Sequence, residues 1–397
     1  MNPVRNPYGP GAGTPPPELS GRTRILTDVS IALQRKLANR PDKSVILVGL
    51  RGVGKTVLLN RIDEDARHLG FRTAMIEVSE NKPLPQVLVP MLRTILYEFD
   101  RMEGLSEAVK RGFRVLRSFV GRGRVSVQMG EIDIGLAIDP EIGTADSGDL
   151  DTDVSQLFVA IGEAAASRKA AIALIIDELQ YLEEHEFAAL IMAIHRITQR
   201  NLPVLLVGAA LPTVRGLAGR AKSYAERLFD FPTIGPLVDS DAYEAIQVPA
   251  KREGVCFTAE ALAAIQEKTQ GYPYFLQEWA YQAWNAASVS PITEQDVRTA
   301  TQSSIKRLDE SFFRVRFDRL TNAEKTYLRA MASLGPGPHR SSDIAAAYGA
   351  KATSVGPTRA TLISKGMIYS PAHGDAAFTV PLFDEFMRRA MPFEDRV

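Results

Sequence analysis

A chain of 397 residues is long enough for two or three domains and a sizeable core. Apolar residues make up 45% and charged residues 24%, with 47 basic against 47 acidic side chains. That balance excludes a chain-wide electrostatic footprint for nucleic acid but allows a local basic patch. Cys256 is alone and the five histidines have no tight spacing, which excludes an intrachain disulfide and a cysteine-based metal cluster. No run of 18 apolar residues occurs, and the first residues lack the charged-then-apolar order of a secretion signal. A cytoplasmic protein with no membrane contact is expected.

Residues 1–19 are rich in Pro, Gly and Asn and end in Pro15-Pro16-Pro17, the composition of a disordered, mobile tail. Residues 28–38 read as a helix with Val29, Leu33 and Leu37 on one face. The apolar run 44–48 reads as a strand, 53–68 as a helix, 71–78 as a second strand and 85–99 as a further helix. This alternation predicts a mostly parallel α/β sheet covered on both faces.

Between the first strand and its helix stands Gly49-Leu50-Arg51-Gly52-Val53-Gly54-Lys55-Thr56, which fits the Gly-x4-Gly-Lys-Thr phosphate-binding loop. The strand before it and the helix after it, beginning Val57-Leu58-Leu59, are the context that the pattern needs. Glycines let the backbone wrap a phosphate, and successive N–H groups with the helix N-terminus donate to it. Lys55 would reach the β- and γ-phosphates, and the Thr56 hydroxyl would hold Mg²⁺.

Residues 104–150 are less regular. Lys110, Arg111, Arg114, Arg117, Arg122 and Arg124 form a basic stretch, 125–138 alternate around Gly130 and Gly135 as in a hairpin or flap, and 139–153 read as an acidic, solvated loop. Surface solubilisation and contact with a partner or DNA are both open readings of this insertion, about 110–150. Residues 154–167 are helical, and 170–176 are nearly all apolar, the mark of a central parallel strand. That strand ends in Asp177-Glu178. A helix over 188–200, a strand over 202–207 followed by a turn at Gly208-Ala209-Ala210, and a short last strand within 229–234 complete the core. Residues 237–287 read as helices.

Ligands of an open α/β sheet bind beyond the strand C-termini, which puts Asp177 and Glu178 beside the phosphate loop. Asp177 would engage Mg²⁺, and Glu178 would orient and polarise the water that attacks the γ-phosphate. The alternative is an acidic pair that caps the following turn.

On these motifs the chain resembles the AAA+ branch of P-loop ATPases, in particular the archaeal replication-initiator-like ATPases and the STAND-type regulatory ATPases. Glu18-Leu19-Ser20-Gly21-Arg22 resembles the box before the first helix in initiator-like members, which implies that Gly21 and Arg22 line the adenine pocket. Asp177-Glu178-Leu179-Gln180 resembles their Asp-Glu-x-Gln form. The resemblance implies ATP and Mg²⁺ as ligands, with residues 49–57 around the phosphates, Val57 included. The segment 203–212 resembles the strand and turn of the polar sensor, but it carries Gly and Ala where the sensor Asn stands, with Thr213 the nearest hydroxyl. Ala225-Glu226-Arg227-Leu228-Phe229 resembles the site of an arginine that reaches a neighbouring subunit's γ-phosphate. Arg227 is the candidate and Arg220 the alternate, against a helix-end arginine satisfied by a carboxylate such as Asp230. Gly271-Tyr272-Pro273 resembles the Gly-x-Pro motif of the helical lid, whose proline, here Pro273, packs by the nucleotide. Tyr274 stands where such lids place a sensor arginine, a departure that favours a slow switch over a fast motor.

At the C-terminus, helices over 323–333, 341–348 and 354–365, with strands at 367–370 and 376–380 around the tip 372–375, resemble a winged helix-turn-helix. Its third helix would enter the major groove if it binds DNA. The cations around it are Lys351, Arg359, Lys365 and Arg340, few for backbone neutralisation. Phe383 and Phe386 are expected in the core, with Arg388 and Arg389 in solvent. The predicted division is a tail (1–19), an ATPase core (20–235), a lid (236–315) and a winged domain (316–397). The function this implies is an ATP-hydrolysing switch that couples nucleotide state to engagement of double-stranded DNA through 340–375 or of a protein, with nucleotide-dependent homo-oligomerisation. The alternative is an ATP-binding scaffold with little hydrolysis.

Overall fold

The computed structural model describes residues 1–11, 14–79, 82–103, 106–121 and 139–392. The expected hairpin over 125–138, and Arg122 and Arg124, lie outside the described residues. The chain forms two compact units, one of Arg22–Gly49 with Lys55–Ile234, the other of Met1–Gly21, Leu50–Gly54 and Gly235–Val397. Among the described residues no helix is long and apolar enough to cross a membrane.

The first unit is an α/β sheet. Its elements run α1 (Thr23–Leu37), β1 (Ser44–Gly49), α2 (Lys55–His68), β2 (Arg72–Glu77), α3 (Leu84–Glu103), α4 (Glu107–Val120), α5 (Leu150–Ser167), β3 (Ile172–Asp177), α6 (Glu184–Gln199), β4 (Val204–Ala210), α7 (Val214–Ala221), α8 (Ala225–Leu228), β5 (Phe229–Asp230) and β6 (Thr233–Ile234). The strand order is β2-β3-β4-β1-β5, with β6 also on β1, and every pairing is parallel. Every residue of β1, β3 and β4 is buried, as their unbroken apolar runs require of strands covered on both faces.

Two expectations are corrected here. Gly208-Ala209-Ala210 is not a turn but the end of β4, where Ile46, Leu47 and Val48 of β1 pair with Gly208, Ala209 and Ala210. The small side chains serve close packing: a Cβ on Gly208 would lie 2.3 Å from Leu179 Cδ1. The basic stretch is not irregular, since residues 107–120 form α4, capped by Ser106 Oγ on the Val109 N–H and burying Val109, Phe113, Leu116 and Phe119. Two of its arginines, Arg111 and Arg114, pair with the acidic segment and α5. Arg111 bridges Glu141 (3.1 Å) and Glu163 (2.6 Å), and Arg114 also faces Glu141. That segment is correspondingly ordered: Asp149 caps α5, Asp151 pairs with Lys222 at 2.8 Å, and the buried Asp153 accepts from Ser147 and Gly148.

The second unit continues with α9 (Asp239–Arg252), α10 (Ala259–Thr269), α11 (Pro273–Ala286), α12 (Glu294–Arg307), a π-helical segment Leu308–Phe313 and α13 (Arg314–Asp318). Then follow α14 (Asn322–Ser333), β7 (His339–Arg340), α15 (Ser341–Tyr348), α16 (Ala352–Ser364), β8 (Ile368–Tyr369), β9 (Asp375–Phe378) and α17 (Phe383–Ala390). Three helices with the antiparallel sheet β7-β9-β8 make a winged-helix-like domain; the strand β7 adds to the two wing strands expected. Phe383 and Phe386 are buried against Phe313, with ring centroids 5.7 and 5.3 Å away. Arg388 and Arg389 do not point to free solvent, because Arg388 holds Asp384 and the Ala332 carbonyl while Arg389 grips both oxygens of Asp309.

The N-terminal residues expected to be mobile are anchored in this unit. Tyr8 is 3% exposed, and its hydroxyl donates to the Ile246 carbonyl at 2.6 Å. Trp284 Nε1 donates to the Asn2 carbonyl, and Arg5 pairs with Glu253 at 2.9 Å. A single buried tyrosine with two aromatic neighbours, Phe257 and Trp284, outweighs the Pro/Gly composition.

Candidate nucleotide site

The site starts where β1 ends. Gly49 closes the strand and Lys55 opens α2, whose N-terminus is the kind of helix entrance that offers free N–H groups to an anion. Gly52 and Gly54 have φ of +82° and +92°, conformations that a Cβ would strain. Lys55 is 6% exposed and its ammonium donates to the Gly49 carbonyl at 3.0 Å. The Thr56 hydroxyl donates to Asp177 Oδ2 at 2.6 Å. The Glu178 N–H donates to Asp177 Oδ1 at 2.8 Å. Burial pushes the Asp177 carboxyl above the usual range, while the Thr56 hydroxyl, the Glu178 N–H and the Lys55 charge pull it back. A buried carboxylate and a hydroxyl on the same spot form a hard-oxygen donor set that fits Mg²⁺, and the left-handed glycines fit a phosphate cradle.

Glu178 has a left-handed backbone, φ 57° and ψ 38°, unusual for a residue with a side chain. Gln180 holds it: its amide nitrogen donates to Glu178 Oε2, and its amide oxygen accepts the Leu211 N–H at 2.9 Å just past β4. The polar group at the end of β4 therefore comes from Gln180 and not from the strand. Sequence reasoning gave Gln180 no role, although it stands two residues after the glutamate within the acidic motif itself. Leu179, between them, is buried against Gly208.

In the second unit, the loop residues 50–54 meet the segment 271–274. Tyr272 is fully buried and its hydroxyl donates to the Arg51 carbonyl. A Cβ on Gly52 would lie 2.9 Å from the Tyr272 ring and 3.5 Å from Tyr274 Cβ. Pro273 begins α11, and Tyr272 beside it is the residue that bonds to the loop. Gly271 has φ +70°, its carbonyl accepts the Leu237 N–H at 2.8 Å, and a Cβ there would stand 2.1 Å from the Leu237 carbonyl oxygen. Gly21 likewise lies against Asp241 and Leu237, where a Cβ would meet Asp241 Oδ2 at 2.5 Å. Arg22, Val53 and Leu58 are buried. Leu50, Arg51, Thr56 and Val57 are half-buried.

The two candidate arginines differ. Arg220 pairs with Glu184 at 3.0 Å. Arg227 is exposed on α8, and the carboxylate suggested for it, Asp230, pairs instead with Lys43 at 3.2 Å.

Residues 18–207 match the family model of the AAA ATPase domain, and residues 310–387 match a domain of unknown function, DUF8462. None of the curated proteins matches the sequence. Among solved structures, a Walker-type ATPase of Pyrococcus abyssi is 14% identical with a TM-score of 0.55, over 93% of this chain and 96% of that one. The Aeropyrum pernix ORC1 protein in complex with DNA is 17% identical with a TM-score of 0.48, over 98% and 97%. The Thermotoga maritima RuvB Holliday junction branch migration motor is 16% identical with a TM-score of 0.45, over 90% and 92%. The chain thus carries an AAA ATPase domain, a parallel P-loop sheet followed by a helical region and a winged-helix-like C-terminal domain.

Proposed function

We propose that the chain is an Mg²⁺-dependent ATPase that acts as a slow switch, coupling its nucleotide state to what the C-terminal domain engages. The observation that carries this reading is the meeting of the Thr56 hydroxyl and the Asp177 carboxylate at 2.6 Å, beside the buried Lys55. Residues 49–57 would bind the phosphates. Thr56 and Asp177 would hold Mg²⁺, which supplies neutralisation of phosphate charge. Glu178 accepts a proton from the attacking water, and Gln180 keeps its carboxylate oriented for that task. An exposed Arg227 suits a trans-acting role in an oligomer formed on ATP binding. Gly21, Arg22 and Pro273 remain the proposed base-side contacts.

For the C-terminal domain, the observations favour a protein partner over DNA. Arg359 on α16 donates to Ser370 Oγ and to the Asp375 carbonyl, and Lys365 pairs with Glu324 at 2.8 Å. Two of the four cations that a duplex backbone would need are thereby committed to the domain's own wing and helix. The scaffold reading, with little hydrolysis, is disfavoured by the hydrogen bonds that orient Glu178.

The test is ATP turnover by the purified protein with Mg²⁺, with and without generic double-stranded DNA, beside Glu178→Gln. Turnover that is lost in the variant and indifferent to DNA supports the proposal. Turnover raised by DNA overturns the preference for a protein partner, and tight ATP binding without turnover supports the scaffold.

A further inference from the structure

Residues 2–8 sit on the helical region as a bound peptide sits on its receptor, both within the second unit. The segment first satisfies its own backbone. Asn2 Oδ1 accepts the Val4 N–H at 2.9 Å, and the Asn2 and Pro3 carbonyls accept the N–H groups of Arg5 and Asn6. Asn6 Oδ1 accepts the Tyr8 N–H at 3.1 Å. Pro3 and Pro7 have no N–H to satisfy. The turn Asn6-Pro7-Tyr8 is therefore shaped by its own bonds, and a preorganised turn loses little freedom on docking.

The grip on the helical region comes mainly from side chains. Tyr8 meets Phe257 and Trp284 edge to face, with ring centroids 6.3 and 6.5 Å away, and all three residues are buried. Its hydroxyl donates to the Ile246 carbonyl of α9 at 2.6 Å, and burial raises its pKa, which keeps it a donor. Asn6 Nδ2 donates to the Tyr281 carbonyl and to Asn285 Oδ1 of α11, each at 3.0 Å. Aromatic walls with an acceptor for a phenol, beside two acceptors for an amide, select tyrosine and asparagine at this spacing. Residues 9–17, which follow, are Gly, Pro, Ala and Thr, and the described ones form no helix or strand. Residues 2–8 can thus leave as one piece without breaking a helix or a sheet of the unit, and their departure uncovers Phe257 and Trp284.

We propose that the helical region carries a receptor groove for peptides containing Asn-Pro-Tyr, and that residues 2–8 are its resting occupant. The segment masks the groove until a peptide of the same kind displaces it. The proposal needs neither the nucleotide reading nor any role of the winged-helix-like domain.

The test is binding of a fluorescent peptide of residues 2–11 to three full-length chains, read by anisotropy beside thermal melts. The chains are the wild type, Tyr8→Phe, and Asn6→Ala combined with Tyr8→Ala. We expect the double variant to bind the peptide at least tenfold more tightly than the wild type, whose groove is filled. Tyr8→Phe keeps the ring and loses one hydrogen bond, so it should bind about fivefold more tightly. A peptide carrying the same two alanines should not bind. A folded double variant that takes up no peptide overturns the proposal and leaves residues 2–8 as a structural anchor alone. Equal binding to the wild type and the double variant overturns it too, since the peptide then binds elsewhere, as does equal binding of the alanine peptide. Should the double variant unfold, Tyr8→Phe decides: uptake no better than that of the wild type overturns the proposal.

Discussion

The Thr56 hydroxyl lies 2.6 Å from the Asp177 carboxylate, although β4 separates β1, which leads into Thr56, from β3, which ends in Asp177. The first turn of α2 crosses the end of that middle strand to close the gap. At neutral pH the buried Asp177 carboxylate is disfavoured by its surroundings. Asp177→Asn should therefore melt no lower than the wild type without ligand, while Mg²⁺ should no longer strengthen ATP binding. Titrating ATP with and without Mg²⁺ checks this; a Mg²⁺ effect that persists in the variant would remove Asp177 from the metal site.

Gln180 joins Glu178 to the end of β4 through both ends of its amide. Gln180→Leu should slow turnover by roughly 10- to 100-fold while ATP affinity stays near that of the wild type, the pattern of a lost orienting contact. Steady-state turnover beside equilibrium binding separates the two quantities. A variant that hydrolyses at the wild-type rate would show that Glu178 needs no such support.

Gly208 gives Leu179 its space. Gly208→Ala should cost about 1–3 kcal/mol in urea unfolding, because the new methyl group overlaps a buried side chain in a central strand. Adding Leu179→Ala should return part of that loss. If the double variant is no more stable than the sum of the singles predicts, the clash is not the cause.

Glu278 on α11 has a fully buried carboxylate that accepts from Gln282 at 2.8 Å and faces Arg307 at 3.7 Å. Burial wins over both partners and raises its pKa above 4.5. A raised carboxyl contributes fully to stability below its unfolded pKa, and that contribution fades as pH climbs through the folded value. Glu278→Gln should therefore raise the melting temperature at pH 7, with the gain shrinking as pH falls towards 4.5. Melts across that range decide it; a variant that is less stable at pH 7 would mean that the Arg307 attraction dominates.

Arg227 is exposed and its suggested partner is taken by Lys43. Arg227→Ala should leave ATP binding intact and flatten the rise of specific activity with protein concentration. Specific activity that is independent of concentration in the wild type would sink the trans role.

What was legible in the sequence was what is local. The phosphate loop is contiguous, and its glycines and lysine need only their own strand and helix to act. Asp177 was legible because a fully apolar strand ending in an acid has few other uses. The rest depends on partners far along the chain. The apolar face of α4 was hidden under its arginines, whose acids Glu141 and Glu163 lie in other segments. Tyr8 could not be read as an anchor without the Ile246 carbonyl. Gly208-Ala209-Ala210 suggested a turn because small residues usually mark one, whereas here they admit Leu179 to a central strand.

Gly271 occupies the tightest approach described above, with no room for a carbon beside the Leu237 carbonyl. Any chain that closes this contact in the same way must carry glycine at the corresponding position, since the Leu237 carbonyl leaves no room for a side chain and the positive φ disfavours one. The position can therefore serve as a marker when distant relatives are sorted. Chains with glycine there should share the Leu237-type clasp, and chains with another residue should enter the following helix by a different route.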